Sequence, residues 1–288
     1  MALMGIMSAI NIIIAVVCSL VPWIAIFLIL ILPLTSVLVE IFCKDKYYPI
    51  YALATFGLAL VATLWNMETT IFYVLPSLLT GYIFGLLAKK KIPSIYSILG
   101  SSLIQMGLTL AFIPLINFIF GVDVVLTFKT FFNLADSKKI DVIVPAFIFV
   151  ISLIQMALSY IIISEEIKKI GVYPIAQERF QWIYQLALGI ISLSIIGVAF
   201  LSLEVAYILL MISIYLSVFI IMDYISSKYW HILIIFGAGI ILNVIIFALY
   251  FTKIKEPAGM LLIGVSPLWI AFISTLVSFL KRKPKEIQ

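Results

Sequence analysis

Long apolar runs, broken at short intervals by charged and turn-forming residues, set the pattern of this 288-residue chain. Crossing about 30 Å of hydrocarbon as a helix takes roughly 20 apolar residues, because each backbone N–H and C=O has to be satisfied within the segment. Ten runs meet or approach that length: 3–20, 24–42, 50–65, 71–88, 95–119, 143–164, 181–202, 204–224, 232–251 and 262–280. They far exceed the ten or so residues of a barrel strand and lack a period of two, so the pattern predicts an all-α, polytopic transmembrane bundle of ten spans. The slightest break is the first, Val21-Pro22-Trp23, where Pro22 removes a helical donor and Trp23 suits a membrane interface. The eighth run follows the seventh almost at once.

Composition sharpens the picture. Apolar residues make up 65% and charged residues 11% of the chain, with a mean hydropathy of +1.29, against about 45 to 50% and about 25% in a soluble domain. A soluble enzyme, a nucleic-acid binder and a disordered scaffold are excluded, since nothing here would solvate so much apolar surface. The chain is expected to be one membrane domain over 1–288, with six spans in 1–164 and four more in 181–280.

Positive charges orient it. With a cytosolic N-terminus, 13 of the 18 Lys and Arg residues fall on inside connections, namely Lys44, Lys46, Lys89, Lys90, Lys91, Lys168, Lys169, Arg179, Lys228, Lys281, Arg282, Lys283 and Lys285. Only Lys129, Lys138, Lys139, Lys253 and Lys255 lie outside, which predicts an N-in, C-in topology. The net charge of +5 then reflects orientation. No Lys or Arg precedes the first run, so a secretory n-region is lacking and the first helix is expected to stay. Cys18 and Cys43 are too few for a disulfide framework or a zinc site, and Ala15-Val16-Val17 before Cys18 is a poor lipoprotein-processing sequence.

Two connections are substantial. In the outer one, Val124, Val125, Phe128, Phe131, Phe132 and Ala135 recur at helical spacing opposite Asp123, Thr127, Thr130 and Asp136, predicting an amphipathic interfacial helix that packs on the bundle or covers an outward cavity. The inner one, Glu165 to Gln181, has Gly171 and Pro174 as breakers and is long enough to meet a partner. An octet also repeats: Ser102-Leu103-Ile104-Gln105-Met106-Gly107-Leu108-Thr109 resembles Ser152-Leu153-Ile154-Gln155-Met156-Ala157-Leu158-Ser159 on the next span. Both octets carry a polar stripe that suits either hydrogen-bonded packing or a polar cavity wall. The match ends abruptly on both sides, so a duplicated transporter half does not follow.

Enzyme chemistry lacks its reagents. His231 is the single histidine and sits beside Trp230, an interfacial anchor pattern; HExxH, GxSxG, Walker A and aspartate-rich diphosphate motifs are absent. Glu165-Glu166 is similar to the paired glutamates of intramembrane CAAX-type proteases, but position 170 is Ile where that family wants Arg, and its histidines are missing. No cofactor or metal is expected. What remains are the intramembrane polar residues Asn11, Gln105, Asn117, Gln155 and Asn243, costly in hydrocarbon unless paired or used. Acidic groups lie at span ends: Glu40 and Asp223 inside, Glu68 and Glu204 outside. Trp65, Asn66, Glu68 and Tyr73 combine stacking faces, an amide and a carboxylate, suited either to capturing a small molecule or to an ordinary aromatic belt. Gly5 with Ala9, and Gly81 with Gly85, are small-xxx-small pairs that allow close helix approach within the chain or to a second subunit.

Leu75-Pro76, the Gly81-x-x-x-Gly85 pair and the basic stop at Lys89 resemble the substrate-binding S components of energy-coupling-factor (ECF) vitamin transporters. Over its whole length the chain is similar to the YybS-like family of bacterial membrane proteins, through its Tyr207 to Asp223 and Trp230 to Tyr250 helices and Gly264-x-x-Pro267-Leu268-Trp269, although that family commonly has an aspartate where Pro267 stands. The resemblance implies a multi-pass protein of the bacterial inner (plasma) membrane that takes part in small-molecule transport. The residues themselves, apart from any resemblance, make Trp65, Asn66, Glu68, Tyr73, Gln105, Asn117 and Gln155 the candidates for substrate contact. The competing expectation is a non-transporting scaffold or regulator that binds a membrane or cytoplasmic protein, or anionic lipid, through the 6–7 connection and the basic tail.

Overall fold

A computed structural model describes residues 2–21, 31–121, 123–131, 138–170, 182–226 and 257–281, with the single positions 234, 237, 238, 241, 242 and 245. The start of the second run, most of the ninth, His231 and the basic tail beyond Lys281 lie outside the described residues, as do Phe132, Ala135 and Asp136 and most of the 6–7 connection. Among the described residues the regular structure is helical throughout. The helices are α1 (Ala2–Leu20), α2 (Leu32–Phe42), α3 (Tyr48–Ala62), α4 (Met67–Lys89), α5 (Ser94–Phe120), α6 (Val124–Phe131), α7 (Lys138–Ile170), α8 (Trp182–Ala199), α9 (Leu203–Ser226) and α10 (Pro257–Lys281). Short 3-10 turns, Asp45–Tyr47 and Leu64–Asn66, lead into α3 and α4. Five segments, Ala2–Leu20, Thr70–Lys89, Ser94–Phe120, Asp141–Ser164 and Leu203–Ile220, are long and apolar enough to cross a membrane.

Helix ends depart from the apolar runs for a simple reason: a run marks what hydrocarbon can hold, whereas a helix continues into water for as long as its residues favour it. Thus α7 spans 33 residues, beginning with Lys138 and Lys139 and ending at Ile170, so the inner connection begins after Ile170 rather than at Glu165. Likewise α4 starts at Met67, directly after the 3-10 turn, where the run begins only at residue 71. At the far end of α5, Gly121 takes the left-handed conformation (φ 66°) and its N–H donates to Asn117 O at 3.0 Å, which stops the helix.

The chain divides into two units, one comprising Met1–Asp136 with Phe147–Glu178, the other Ser137–Ala146 with Arg179–Gln288. In the first unit α4 is central and packs against α1, α2, α3 and α5. Its closest approach is to α2. A Cβ placed on Gly81 would stand 2.4 Å from Ser36 Cβ and 2.8 Å from Pro33 O, and one on Gly85 would stand 2.6 Å from both Cβ and Cγ of Glu40. Gly81 meets Ser36 and Gly85 meets Glu40, at a constant offset along the chain, so α2 and α4 run in the same direction. Gly5 and Ala9 instead lie exposed on α1, and a Cβ on Gly5 would meet nothing within 4 Å.

The unit's burial is the reverse of a soluble protein's. Leu53 is 73% and Phe118 88% exposed, while Asn11, Thr55, Thr80 and Gln155 are at most 1% exposed. Hydrocarbon solvates the first pair without cost and forces the second group inward. With five long apolar helices, this makes the chain a multi-pass membrane protein.

The second unit brings α8, α9 and α10 together. Its core holds Leu188, Ile195, Ala206, Leu261 and Val265. Trp269 Nε1 donates to Ser192 O at 3.3 Å, and Gly189 leaves room for the ring of Phe272, which a Cβ there would meet at 2.2 Å.

Candidate functional site

Three gatherings of polar side chains in the first unit touch α4. At the start of that helix, Trp65 and Asn66 form the 3-10 turn and Glu68 occupies the first helical turn. Trp65 is 60% exposed. Asn66 Nδ2 donates to Ser19 O at 3.4 Å, fastening this turn to the end of α1. Thr63 and Thr70 hydroxyls, 2.6 Å apart, close the same corner. Two turns further along α4, Tyr73 packs with Ile14, Cys18 and Leu32.

Deeper still, Ser77 and Thr80 continue the face that carries Asn66 and Tyr73, since these positions recur at intervals of seven, four and three. Pro76 takes a donor out of this part of the helix. The adjacent hydroxyls work on the backbone there: Ser77 Oγ donates to Tyr73 O at 2.6 Å and Thr80 Oγ1 to Pro76 O at 2.8 Å. Thr80 Oγ1 also lies 3.3 Å from Gln105 Oε1 on α5. Gln105 Nε2 in turn donates to Gln155 Oε1 on α7, and Ser102 Oγ lies 3.3 Å from Ser152 O. The two repeated octets therefore meet each other, first residue to first and fourth to fourth, within one helical turn that marks a crossing point. Beside it, the buried hydroxyls of Ser101 and Ser159 have no hydrogen-bond partner. Asn117 stands apart, about 18 Å along α5 from Gln105 at 1.5 Å per residue. Its Oδ1 accepts from Val124 N–H at 3.2 Å, making it a support for α6.

The third place lies at the other end of α4 and joins residues that no local pattern combines. Lys89 Nζ donates to Glu40 Oε1 at 2.9 Å, to Asp45 Oδ1 and to Cys43 O at 3.3 Å. Glu40's side chain is wholly buried and its Oε2 is unpartnered. Asp45 lies outside the apolar segments, where its hydrogen bond from Lys89 holds its carboxyl below the usual carboxylate range. The signal was present in part: Gly81, Gly85 and Lys89 form one stripe at intervals of four, as Ser36 and Glu40 do on α2. Nothing local says that these stripes face each other.

A further polar cluster lies between α1, α2 and α3, where Asn11 finds partners that its own segment does not indicate. Asn11 Nδ2 donates to Tyr51 Oη at 3.1 Å, Thr35 Oγ1 lies 2.7 Å from Asn11 Oδ1, and Thr55 Oγ1 donates to Ser8 Oγ at 2.9 Å. Tyr48 Oη donates to Leu78 O at 2.6 Å, tying α3 to α4. These bonds hold helices together.

Among the described residues, no group of three His, Cys, Asp or Glu side chains has metal-ligand geometry. Comparison of the chain with protein-family models, with curated proteins and with solved structures gives no match.

Proposed function

We propose that this protein is a component of small-molecule transport in the bacterial plasma membrane, with residues 1–164 forming the part that captures a vitamin-like solute. In this reading the chain crosses the bilayer ten times with both ends in the cytosol, and residues 181–280 add four spans to a six-span, S-component-like bundle of the YybS-like kind. The 23 residues of α4 rise about 35 Å, enough to carry Asn66 to one interface and Lys89 to the other. Lysines favour the cytosolic side, so Trp65, Asn66 and Glu68 face outward, where a solute would arrive.

The observation that carries the proposal is the polar face of α4. Asn66, Tyr73, Ser77 and Thr80 lead about 21 Å inward to Gln105 and Gln155, beside which the Ser101 and Ser159 hydroxyls keep unused hydrogen-bonding capacity. The exposed Gly5 and Ala9 on α1 leave a surface for a membrane partner such as a coupling subunit.

Native mass spectrometry of the purified full-length protein, with identification of co-purified metabolites, tests this. Asn66→Ala and Glu68→Ala are expected to lose a small molecule that the wild-type protein retains, while replacement of the 165–181 segment leaves it bound. Absence of any retained metabolite in the wild type, combined with a protein partner lost only on replacing 165–181, would favour the scaffold instead.

A further inference from the structure

We propose that the two lysine turns at the end of α2 and α4 form a binding site for the phosphate headgroup of an anionic phospholipid. The site is independent of any solute, and it is built on the junction described above. Lys89 reaches from α4 to Cys43 O and Asp45 in the turn that follows α2, so the segments 44–46 and 89–91 are held side by side. That clamp consumes both carboxylates on one ammonium. Lys44, Lys46, Lys90 and Lys91 are all left exposed around it. Counting five lysines against Glu40 and Asp45 leaves a local charge of +3 with both carboxylates ionised.

Three features make this patch fit a lipid rather than bulk anions. It sits where two apolar helices end, so an acyl chain can lie along their hydrocarbon-facing sides while the headgroup meets the ammoniums. Phe42 and Ile50, 37% and 61% exposed, flank it on the apolar side. Its lysines are also positioned at a cost to the backbone. Lys90 N–H donates to Leu86 O, Lys91 N–H to Ala88 O and Ile92 N–H to Leu87 O, closing α4 in the manner that normally has glycine at its left-handed position. Lys91 occupies that position with φ 57°. A lysine there strains the chain and is useful only if its ammonium is.

Lysines near an anionic membrane surface each contribute a factor of about five in binding. Replacing the four exposed ones should therefore reduce the preference for anionic lipid at least about tenfold. The full-length protein, reconstituted in equimolar phosphatidylglycerol and phosphatidylcholine, is released by native mass spectrometry and its retained lipids are identified. The wild type is expected to keep phosphatidylglycerol selectively; the K44Q/K46Q/K90Q/K91Q variant is expected to lose that selectivity; a K281Q/R282Q/K283Q/K285Q variant is expected to keep it. Lys91→Gly separates binding from folding, since it relieves strain and should unfold no earlier than wild type while binding less phosphatidylglycerol. Undiminished selectivity in the first variant, or equal loss in the tail variant, would overturn the site. Displacement of the lipid by excess inorganic phosphate would overturn it in favour of a soluble phosphate ligand.

Discussion

Gly81→Ala adds one methyl group at the tightest point of the first unit, and the geometry fixes what must follow. The new Cβ would lie 2.4 Å from Ser36 Cβ, 2.8 Å from Pro33 O and 3.3 Å from Val37 N. None of these atoms can rotate away, because two belong to the backbone and the third is bonded directly to it. Relief requires α2 and α4 to separate by about 1 Å to reach an ordinary carbon contact of about 3.5 Å. Such a gap forfeits a quarter to a half of each dispersion contact along the seam, and overpacking of this kind costs about 1 to 3 kcal/mol. Replacing a helical glycine by alanine returns up to about 1 kcal/mol, leaving a net loss of up to about 2 kcal/mol. Gly107→Ala, on α5 with nothing within 4 Å of its Cβ, should show only the gain. The helical gain is common to both variants, so they should differ by the overpacking cost alone, about 1 to 3 kcal/mol. Cys18 and Cys43 both lie in this unit, Cys18 buried in α1 and Cys43 just past α2, so pulsed thiol labelling along an SDS titration reads its opening directly. Equal midpoints for Gly81→Ala and Gly107→Ala would refute the close-packed seam.

The ion pair at the end of that seam should respond asymmetrically. Lys89→Met leaves the wholly buried Glu40 carboxylate without a cation and should cost about 3 kcal/mol, whereas Glu40→Gln should cost less because Lys89 keeps Asp45; the same labelling titration ranks them. Gln105→Leu or Gln155→Leu alone orphans an amide in the interior and should cost about 1 to 2 kcal/mol, while the double substitution should cost less than the sum, as a double-mutant cycle would show. Asp45 has a lowered carboxyl pKa in the folded protein, so its contribution is complete above its ordinary pKa and fades as the pH falls through the folded value. Asp45→Asn should accordingly flatten the acid side of the stability profile and leave the alkaline side unchanged.

Sequence disclosed most where a single segment carries the physics. Hydrocarbon thickness sets the length of an apolar run, so α1, α5 and α9 could be placed from the chain alone. It disclosed less where a helix continues into water, as at both ends of α7, because no apolar signal marks that continuation. Spacing revealed that Gly81 and Gly85 share a face, yet Ser36 and Glu40, which they admit, lie far away in sequence. The two similar octets carried polar stripes suited to hydrogen-bonded packing, and Gln105 does meet Gln155, although the spacing alone did not fix which residues pair. Asn117 is an amide inside an apolar run whose local use no spacing signals: its Oδ1 accepts from the first residue of α6. An orphan N–H at a helix start needs an acceptor as much as a solute does.

The two seams of α4 differ in what they can tolerate, and this bears on transport. Along α2 the contact is backbone against side-chain root, with no room for a Cβ; such a surface has one arrangement. Towards α5 the polar contact is Thr80 Oγ1 beside Gln105 Oε1, Gln105 reaches on to Gln155 of α7, and Ser101 and Ser159 nearby are unpaired. In the proposed reading, amides can exchange one another for a solute's polar groups at little net change in hydrogen bonding, so solute entry is expected at this seam and not at the glycine seam. Lipid provides no hydrophobic force to close it again, which leaves packing contacts and the hydrogen bonds to favour the closed arrangement. It follows that Gln155→Leu should impair solute retention and stability together, whereas Gly107→Ala, on the same helix as Gln105 but clear of the seam, should raise stability and leave retention unchanged. A solute still retained at wild-type levels by Gln155→Leu would show that the pathway runs elsewhere.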